Sequence, residues 1–242
     1  MVNVLSENIL ENGFKQLNLS YSDEELQKFE KYKDLLKEWN KKVNITAIEN
    51  DEEIYIKHFL DSVVLLDENY LYEEKSIIDV GTGGGFPGIP LKILNNNYSV
   101  TLLDSLRKRI DFLSTVIKEL KLEDVYLIHG RAEDFGQDID YREKFDICVS
   151  RAVAPLNVLS EYCLPFVKVG GYFAAYKSES ISEEILDSQN AIKKLGGNIK
   201  NIKEIKIPGT EIIRKIVIIE KTRATEEMYP RRAGKPSKDP LV

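Results

Sequence analysis

The sequence predicts an α/β protein, a doubly wound and mostly parallel sheet of seven strands preceded by a helical subdomain. Three observations predict it. From Lys75 onward, short apolar runs alternate with longer stretches of helical period, the pattern of strands joined by crossover helices. The first run ends in a glycine-rich turn, Gly81-Thr82-Gly83-Gly84-Gly85. The residues before Lys75 hold amphipathic helical periods with no strand-like neighbour.

Each element follows from local pattern. Ser22 and Glu25 have capping-box spacing, and Leu26, Phe29, Tyr32, Leu36, Trp39 and Val43 follow at steps of three or four. A second amphipathic stretch runs from Ile54 through His58, Phe59 and Val63 to Leu66. Strands are predicted over 76–80 and 99–104, after which Ser105 is expected to cap a helix with Leu106, Ile110, Leu113, Ile117 and Leu120 on one face. Further strands are predicted over 125–129 and 145–150, and over 172–176 after a turn at Gly170-Gly171. A helix over 182–195 ends at Gly196-Gly197, a C-cap signal. Two last strands, around 199–207 and 215–220, are joined by Pro208-Gly209. With no long crossover between them, one antiparallel strand is expected. The division is a helical subdomain over 1–72, an α/β domain over 73–222 and a basic tail over 223–242.

Composition bounds the function. The chain has 242 residues, 43% hydrophobic and 31% charged, enough for one substantial core. Its apolar runs are too short for a membrane span of about 20 residues. The opening MVNVLSENILENGF lacks a basic region followed by an apolar stretch, so no secretory signal is expected. Two cysteines, Cys148 and Cys163, and two histidines, His58 and His129, exclude a disulfide framework and a cysteine- or histidine-based metal centre. A cytoplasmic protein without metal or membrane is expected. The net charge of −6 argues against nucleic acid, but charge is unevenly placed. Residues 221–242 carry six Lys/Arg against three acids, interrupted by Pro230, Pro236 and Pro240. That tail reads either as a solvated end or as an anion-binding arm.

The segment Asp79-Val80-Gly81-Thr82-Gly83-Gly84-Gly85-Phe86-Pro87-Gly88 is the most informative. In a doubly wound sheet this turn lies at the carboxyl edge, where ligands bind. Asp104 ends the next strand, 23 residues after Gly81, where a carboxylate can accept both ribose hydroxyls of an adenosine-containing cofactor. Gly83-x-Gly85-x-x-Gly88 also satisfies a dinucleotide fingerprint, yet three observations favour S-adenosylmethionine over NAD. Counted from Gly81 the frame fails, because Phe86 takes the third glycine's place. Pro87 and Pro90 crowd the helix start whose amides would hold a pyrophosphate. Asp79 would repel a pyrophosphate but can hold the cofactor's ammonium. Gly130-Arg131-Ala132-Glu133-Asp134 follows the third strand, where an adenine-contacting loop would lie, and Ser150-Arg151-Ala152-Val153-Ala154-Pro155 follows the fourth, facing the transferable methyl.

These blocks, DVGTGGGFPGIPL (79–91), LLDSLRKRIDFL (102–113), GRAED (130–134) and SRAVAPL (150–156), with EWNKKVNIT (38–46), HFLDSV (58–63) and the tail YPRRAGKPSKDPL (229–241), resemble the RsmG family, formerly glucose-inhibited division protein B. The resemblance covers most of the chain, with Thr82 where serine is usual and Gly84 where alanine is usual. It implies a class I S-adenosylmethionine-dependent methyltransferase fold (Rossmann-like) and methyl transfer to N7 of one guanine in bacterial 16S rRNA. It places cofactor contacts on Gly81, Phe86, Ala132, Glu133 and Arg151. Asp79, Gly83 and Asp104 join them from the argument above. Two other readings stay open: a small-molecule methyltransferase using the same turn, and a noncatalytic nucleotide-sensing protein.

Guanine N7 carries a lone pair and no proton, so no catalytic residue acting by proton transfer is expected; alignment and electrostatics should suffice. An arginine clamp on O6 and N7 would block the reacting lone pair, so the base should be read on its N1–H and N2 edge with its face stacked. Phe86 and the Arg151 guanidinium are the candidate base-positioning groups. RNA affinity is expected from Arg107, Lys108 and Arg109, and from Arg231, Arg232, Lys235 and Lys238 in the tail. The expected partner is 16S rRNA or the small ribosomal subunit, bound by a monomer. His58 is expected to be a hydrogen-bonded packing residue at the subdomain junction, and Cys148 and Cys163 to be packing residues.

Overall fold

The computed structural model describes residues 4–67, 75–151, 154–178 and 181–242. Helices α1 (Val4–Gln16) and α2 (Asp23–Asn40) open the chain. Ser22 Oγ accepts the Glu25 amide while the Glu25 carboxylate accepts the Ser22 amide at 2.6 Å, so the predicted capping box forms. Leu26, Phe29, Tyr32 and Leu36 make the buried face of α2. Helix α3 (Asp51–Ile54) starts at Asn50, whose side chain accepts from the Glu53 amide. It runs on through a π-helical turn, Tyr55–Leu60, into α4 (Asp61–Val63). Such widened turns recur at functional sites because they re-aim side chains without ending the helix. Here the turn carries His58 and leads to Asp61.

The remainder alternates: β1 (Ser76–Val80), α5 (Gly88–Leu94), β2 (Ser99–Asp104), α6 (Arg107–Leu120), β3 (Val125–His129), α7 (Ala132–Phe135), β4 (Phe145–Arg151), α8 (Leu156–Cys163), β5 (Val167–Lys177), α9 (Ser182–Lys194), β6 (Gly197–Lys206), β7 (Ile213–Lys221) and α10 (Lys235–Lys238). The seven strands lie in the order β3-β2-β1-β4-β5-β7-β6. Strand β7 runs antiparallel to both its neighbours, and the pairings among β1–β5 are parallel. Strand order reverses between β1 and β4, which opens a crevice at their carboxyl ends.

Alternation along the strands divides the interior in two. Ile77, Leu102, Ile147, Val149, Ala174 and Ile216 face one core, and Ile78, Leu103, Cys148, Phe173, Ala175 and Val217 face the other. The first core also takes Phe14, Phe29, Tyr32, Phe59 and Phe112. The N-terminal helices therefore share a core with α5, α6 and one sheet face, and do not build one of their own. The expected boundary after residue 72 falls within 68–74, and Ala152 and Val153 of the fourth-strand block also lie outside the described residues.

Two local expectations are corrected, and one of the two readings of the tail is set aside. Ser105 does not cap α6: the cap position is Leu106, whose amide donates to Asp104 Oδ1 at 2.9 Å, so the aspartate wins the local competition. Strand β5 begins at Val167 and passes through Gly170-Gly171, with a register break opposite Phe145 and Ile147. The tail is not a solvated end: Tyr229 and Leu241 are buried in the second core, and Arg142 donates to the carbonyls of Tyr229 and Thr225 at 2.7 Å each.

Candidate active site

The glycine turn closes the carboxyl end of β1. The amides of Gly81 and Thr82 both donate to Leu103 O of β2, at 2.9 and 3.1 Å. Gly83 has φ +62°, a region that costs a side chain roughly 1–2 kcal/mol, and a Cβ there would meet nothing within 4 Å. The glycine is thus needed for backbone conformation and leaves open space above it. Gly88 is needed for a different reason: a Cβ would come within 2.9 Å of Asp79 Oδ2.

Asp79 is fully buried. Its Oδ2 accepts the Thr82 hydroxyl at 2.7 Å and the Gly88 amide at 2.8 Å, and Oδ1 is buried without a partner. The hydroxyl of Thr82 does what a serine hydroxyl would do there. Burial pushes the Asp79 carboxyl up to about 7, against the pull of those two hydrogen bonds. The expectation that Asp79 meets a cofactor ammonium is not what this geometry provides: the side chain is enclosed and braces the turn from behind.

Asp104, 2% exposed, ends β2 beside the turn. Its Oδ2 accepts the Gly83 amide at 2.9 Å and Arg109 Nη1 at 3.1 Å, while Oδ1 accepts the Leu106 amide. Gly81, Thr82, Gly83, Gly84, Phe86, Asp104, Ser105, Arg109 and Arg151 line a cleft of ≈ 370 Å³. Arg109 is therefore part of the cleft and not a free cation on the outer face.

Arg151 ends β4 on the far side of that cleft. Its Nη1 donates to Asp61 Oδ2 at 2.9 Å and to Lys57 O at 3.0 Å, and Nη2 lies 3.3 Å from His58 Nδ1. Its guanidinium sits 5.2 Å from the centroid of the Phe86 ring. Phe86 also stacks on His58, at 4.4 Å and 9°, and on Tyr32, at 5.5 Å and 28°. Being 6% exposed and flanked by these groups, Phe86 has no open face for a guanine, which corrects its expected role as a stacking platform. It is a wall of the cleft. Burial and the neighbouring Arg151 push the His58 imidazole down to about 3, so it stays neutral, with Nε2 bonded to Thr46 Oγ1 at 2.8 Å. The packing role expected for His58 is the one it fills.

The third-strand loop borders a second hollow of ≈ 170 Å³, lined by Val80, Gly81, Leu103, Asp104, Ser105, Gly130, Arg131, Ala132, Glu133 and Tyr162. It shares Gly81, Asp104 and Ser105 with the first, so the two form one trough over the ends of β1, β2 and β3. Glu133 Oε1 accepts the Gly234 amide at 2.8 Å, which ties the tail to this loop. Of the expected cofactor contacts, the trough brings together Gly81, Gly83, Phe86, Asp104, Ala132, Glu133 and Arg151, and it leaves Asp79 behind the turn. Sequence reasoning missed Asp61, Thr46, Arg214 and Tyr162. The first two lie in blocks of resemblance, HFLDSV and EWNKKVNIT, that carried no chemical reading of their own.

The expected RNA contacts divide. Arg107, Lys108, Arg232, Lys235 and Lys238 are exposed, with Arg107 paired to Asp111 and Lys235 to Asp239. Arg231 instead grips Glu161, a fully buried carboxylate, through Nε at 2.9 Å and Nη2 at 2.7 Å. Among the described residues no cluster of His, Cys, Asp or Glu could hold a metal ion, and no helix is long and apolar enough to cross a membrane.

Comparison with known proteins decides the family. The model of the GidB family, described as rRNA small subunit methyltransferase G, matches residues 25–216. The chain belongs to this family. Relatives named ribosomal RNA small subunit methyltransferase G include one from Alkaliphilus oremlandii, 54% identical over 233 residues, covering 96% of this chain and 98% of that protein. Another, from Acetivibrio thermocellus, is 52% identical over 238 residues, covering 97% and 96%. Among solved structures, TYW2 of M. jannaschii in complex with AdoMet matches with TM-score 0.50 and 18% identity, over 63% of this chain and 72% of that one. A SAM-dependent methyltransferase from Aquifex aeolicus matches with TM-score 0.52 and 16% identity, over 72% and 96%. The fold of this rRNA small subunit methyltransferase G family member is thus that of class I S-adenosylmethionine-dependent methyltransferases, as expected from the sequence.

Proposed function

We propose that this chain methylates N7 of a guanine in the 16S RNA of the small ribosomal subunit, using S-adenosylmethionine, as a monomer in the cytoplasm. Family membership over residues 25–216 is the observation that carries the reading. The trough supports the choice of cofactor independently. It offers a buried carboxylate beside the turn and open space over Gly83, and the short α5 has Pro87 at its cap position, without a side-chain cap, and contains Pro90, a poor seat for a pyrophosphate.

S-adenosylmethionine, when bound, supplies an electrophilic methyl on a positively charged sulfur. In this reading Asp104 accepts the ribose hydroxyls, Ala132, Glu133 and Tyr162 surround the adenine side, and Phe86 and Arg151 wall the methyl side. The target nitrogen brings a lone pair and no proton, so these residues have only to hold the reactants in line and exclude water. The cleft is built accordingly. Asp104 already takes three donors, and His58 is neutral with both ring nitrogens engaged, so neither stands free as a general base. Arg107, Lys108, Arg232, Lys235 and Lys238 supply exposed positive charge for phosphates.

The test is transfer of labelled methyl to small subunits that lack the modification, followed by borohydride–aniline cleavage, which cuts RNA at 7-methylguanosine. Label at one cleavable guanine is the expected result. Label on another atom or base, or on none, refutes the reading.

A further inference from the structure

Asp61 is 2% exposed, on the short helix α4, and it holds two arginines at once. Its Oδ2 accepts Arg151 Nη1 at 2.9 Å and Arg214 Nη2 at 2.8 Å, and its Oδ1 accepts Arg214 Nε at 2.6 Å. The two arginines come to the same edge of the sheet from strands that flank β5, one from the end of β4 and one from the start of the antiparallel β7. Their side chains are only 11% and 20% exposed. His58, the other ring beside Arg151, is neutral and contributes no charge. The cluster thus carries one net positive charge, and Arg151 presents it to the cleft.

A cation on the wall of a site for a sulfonium is an electrostatic liability. Unit charges a few ångströms apart in a partly buried site interact far more strongly than in water. Without Asp61, Arg151 in the wall and Arg214 behind it would both lose their shared counter-charge. S-adenosylmethionine and its product S-adenosylhomocysteine share adenine, ribose, ammonium and carboxylate. They differ in the sulfonium charge and its methyl.

We propose that Asp61 is a positioning residue that acts through Arg151, fixing its guanidinium over Phe86 and lowering the wall's charge so that the cleft admits a cationic donor. The inference rests on the reading that this cleft binds S-adenosylmethionine. It assigns a chemical role to the HFLDSV block, and it makes the helical region part of the donor site.

The experiment is calorimetric titration of the full-length protein with S-adenosylmethionine and, separately, S-adenosylhomocysteine, read as the ratio of the two dissociation constants. Asp61→Asn keeps the shape and removes the charge; it should shift the ratio about fivefold or more toward the product. Arg214→Gln removes one positive charge and should shift it the opposite way. The double variant restores the net charge and should bring the ratio back toward wild type. Asp61→Glu, which keeps the charge, should stay near wild type in ratio even where both affinities fall. A role in packing alone predicts equal losses for both ligands in every variant, and that result overturns the proposal. If Asp61→Asn fails to fold, an unmoved ratio in Arg214→Gln overturns it equally. Failure of the wild-type protein to bind either ligand would instead defeat the cofactor reading.

Discussion

Arg109 Nη1 donates to Asp104 Oδ2 at 3.1 Å inside the cleft, and the Nε of the same arginine is buried without a partner. A carboxylate has about four acceptor sites, and Asp104 already uses three, for Gly83, Leu106 and Arg109. A ribose diol needs two, so Arg109 must give one up. Arg109→Gln is therefore expected to tighten S-adenosylhomocysteine binding a few-fold in a calorimetric titration. A weaker complex would show that Arg109 itself holds the ligand.

Asp79 makes stability depend on pH. Its carboxyl is pushed from 3.8 up to about 7, mainly by burial. A raised folded-state value means a contribution fully present below 3.8 and lost as pH rises through about 7. Asp79→Asn cannot ionise, so its melting temperature relative to wild type should climb between pH 4 and pH 7 and level off above that. A difference that stays constant across that range would contradict the assignment.

His58 acts from the acid side. Its folded-state value falls from 6.5 to about 3, again through burial and then Arg151, so its contribution is present above 6.5 and lost as pH drops toward 3. At 1.36 kcal/mol per unit, roughly 2–3 kcal/mol is at stake by pH 4.5. Denaturant unfolding of wild type and His58→Gln between pH 7 and pH 4.5 should converge by about that amount, with the wild type losing more.

The tail arginines should behave oppositely to one another. Arg231→Gln leaves Glu161 buried and unpaired, which typically costs 3–5 kcal/mol, and should loosen residues 229–242 to proteolysis. Arg232→Gln with Lys238→Gln touches exposed side chains. It should leave thermal stability unchanged and reduce the salt dependence of RNA binding by up to two phosphate contacts. Equal effects of the two sets on RNA binding alone would refute this division.

The first three strands were legible at their observed ends, because each is a short apolar run stopped by a glycine, an aspartate or a turn. The trough was legible for the same reason: Gly81 and Glu133 follow such stops, Asp104 and Arg151 are the last residues of β2 and β4, and parallel pairing brings these strand ends to one edge. What stayed hidden depends on distance along the chain. Asp61 and Arg214 are 153 residues apart, and Arg231 and Glu161 are 70 apart. Each looks like an ordinary surface charge until the fold buries its partner. The enclosed faces of Phe86 were hidden likewise, since His58 and Tyr32 reach it from helices that show no strand-domain pattern.

The central claim is that the donor lies across the ends of β1 to β4 with its ribose on Asp104. Calorimetric titration of wild type and Asp104→Asn with S-adenosylhomocysteine and NAD tests it most directly. The expected result is saturable binding of S-adenosylhomocysteine to wild type, weakened at least tenfold in the variant, with no comparable heat from NAD. Undiminished binding by Asp104→Asn, or a preference of the wild type for NAD, would contradict it.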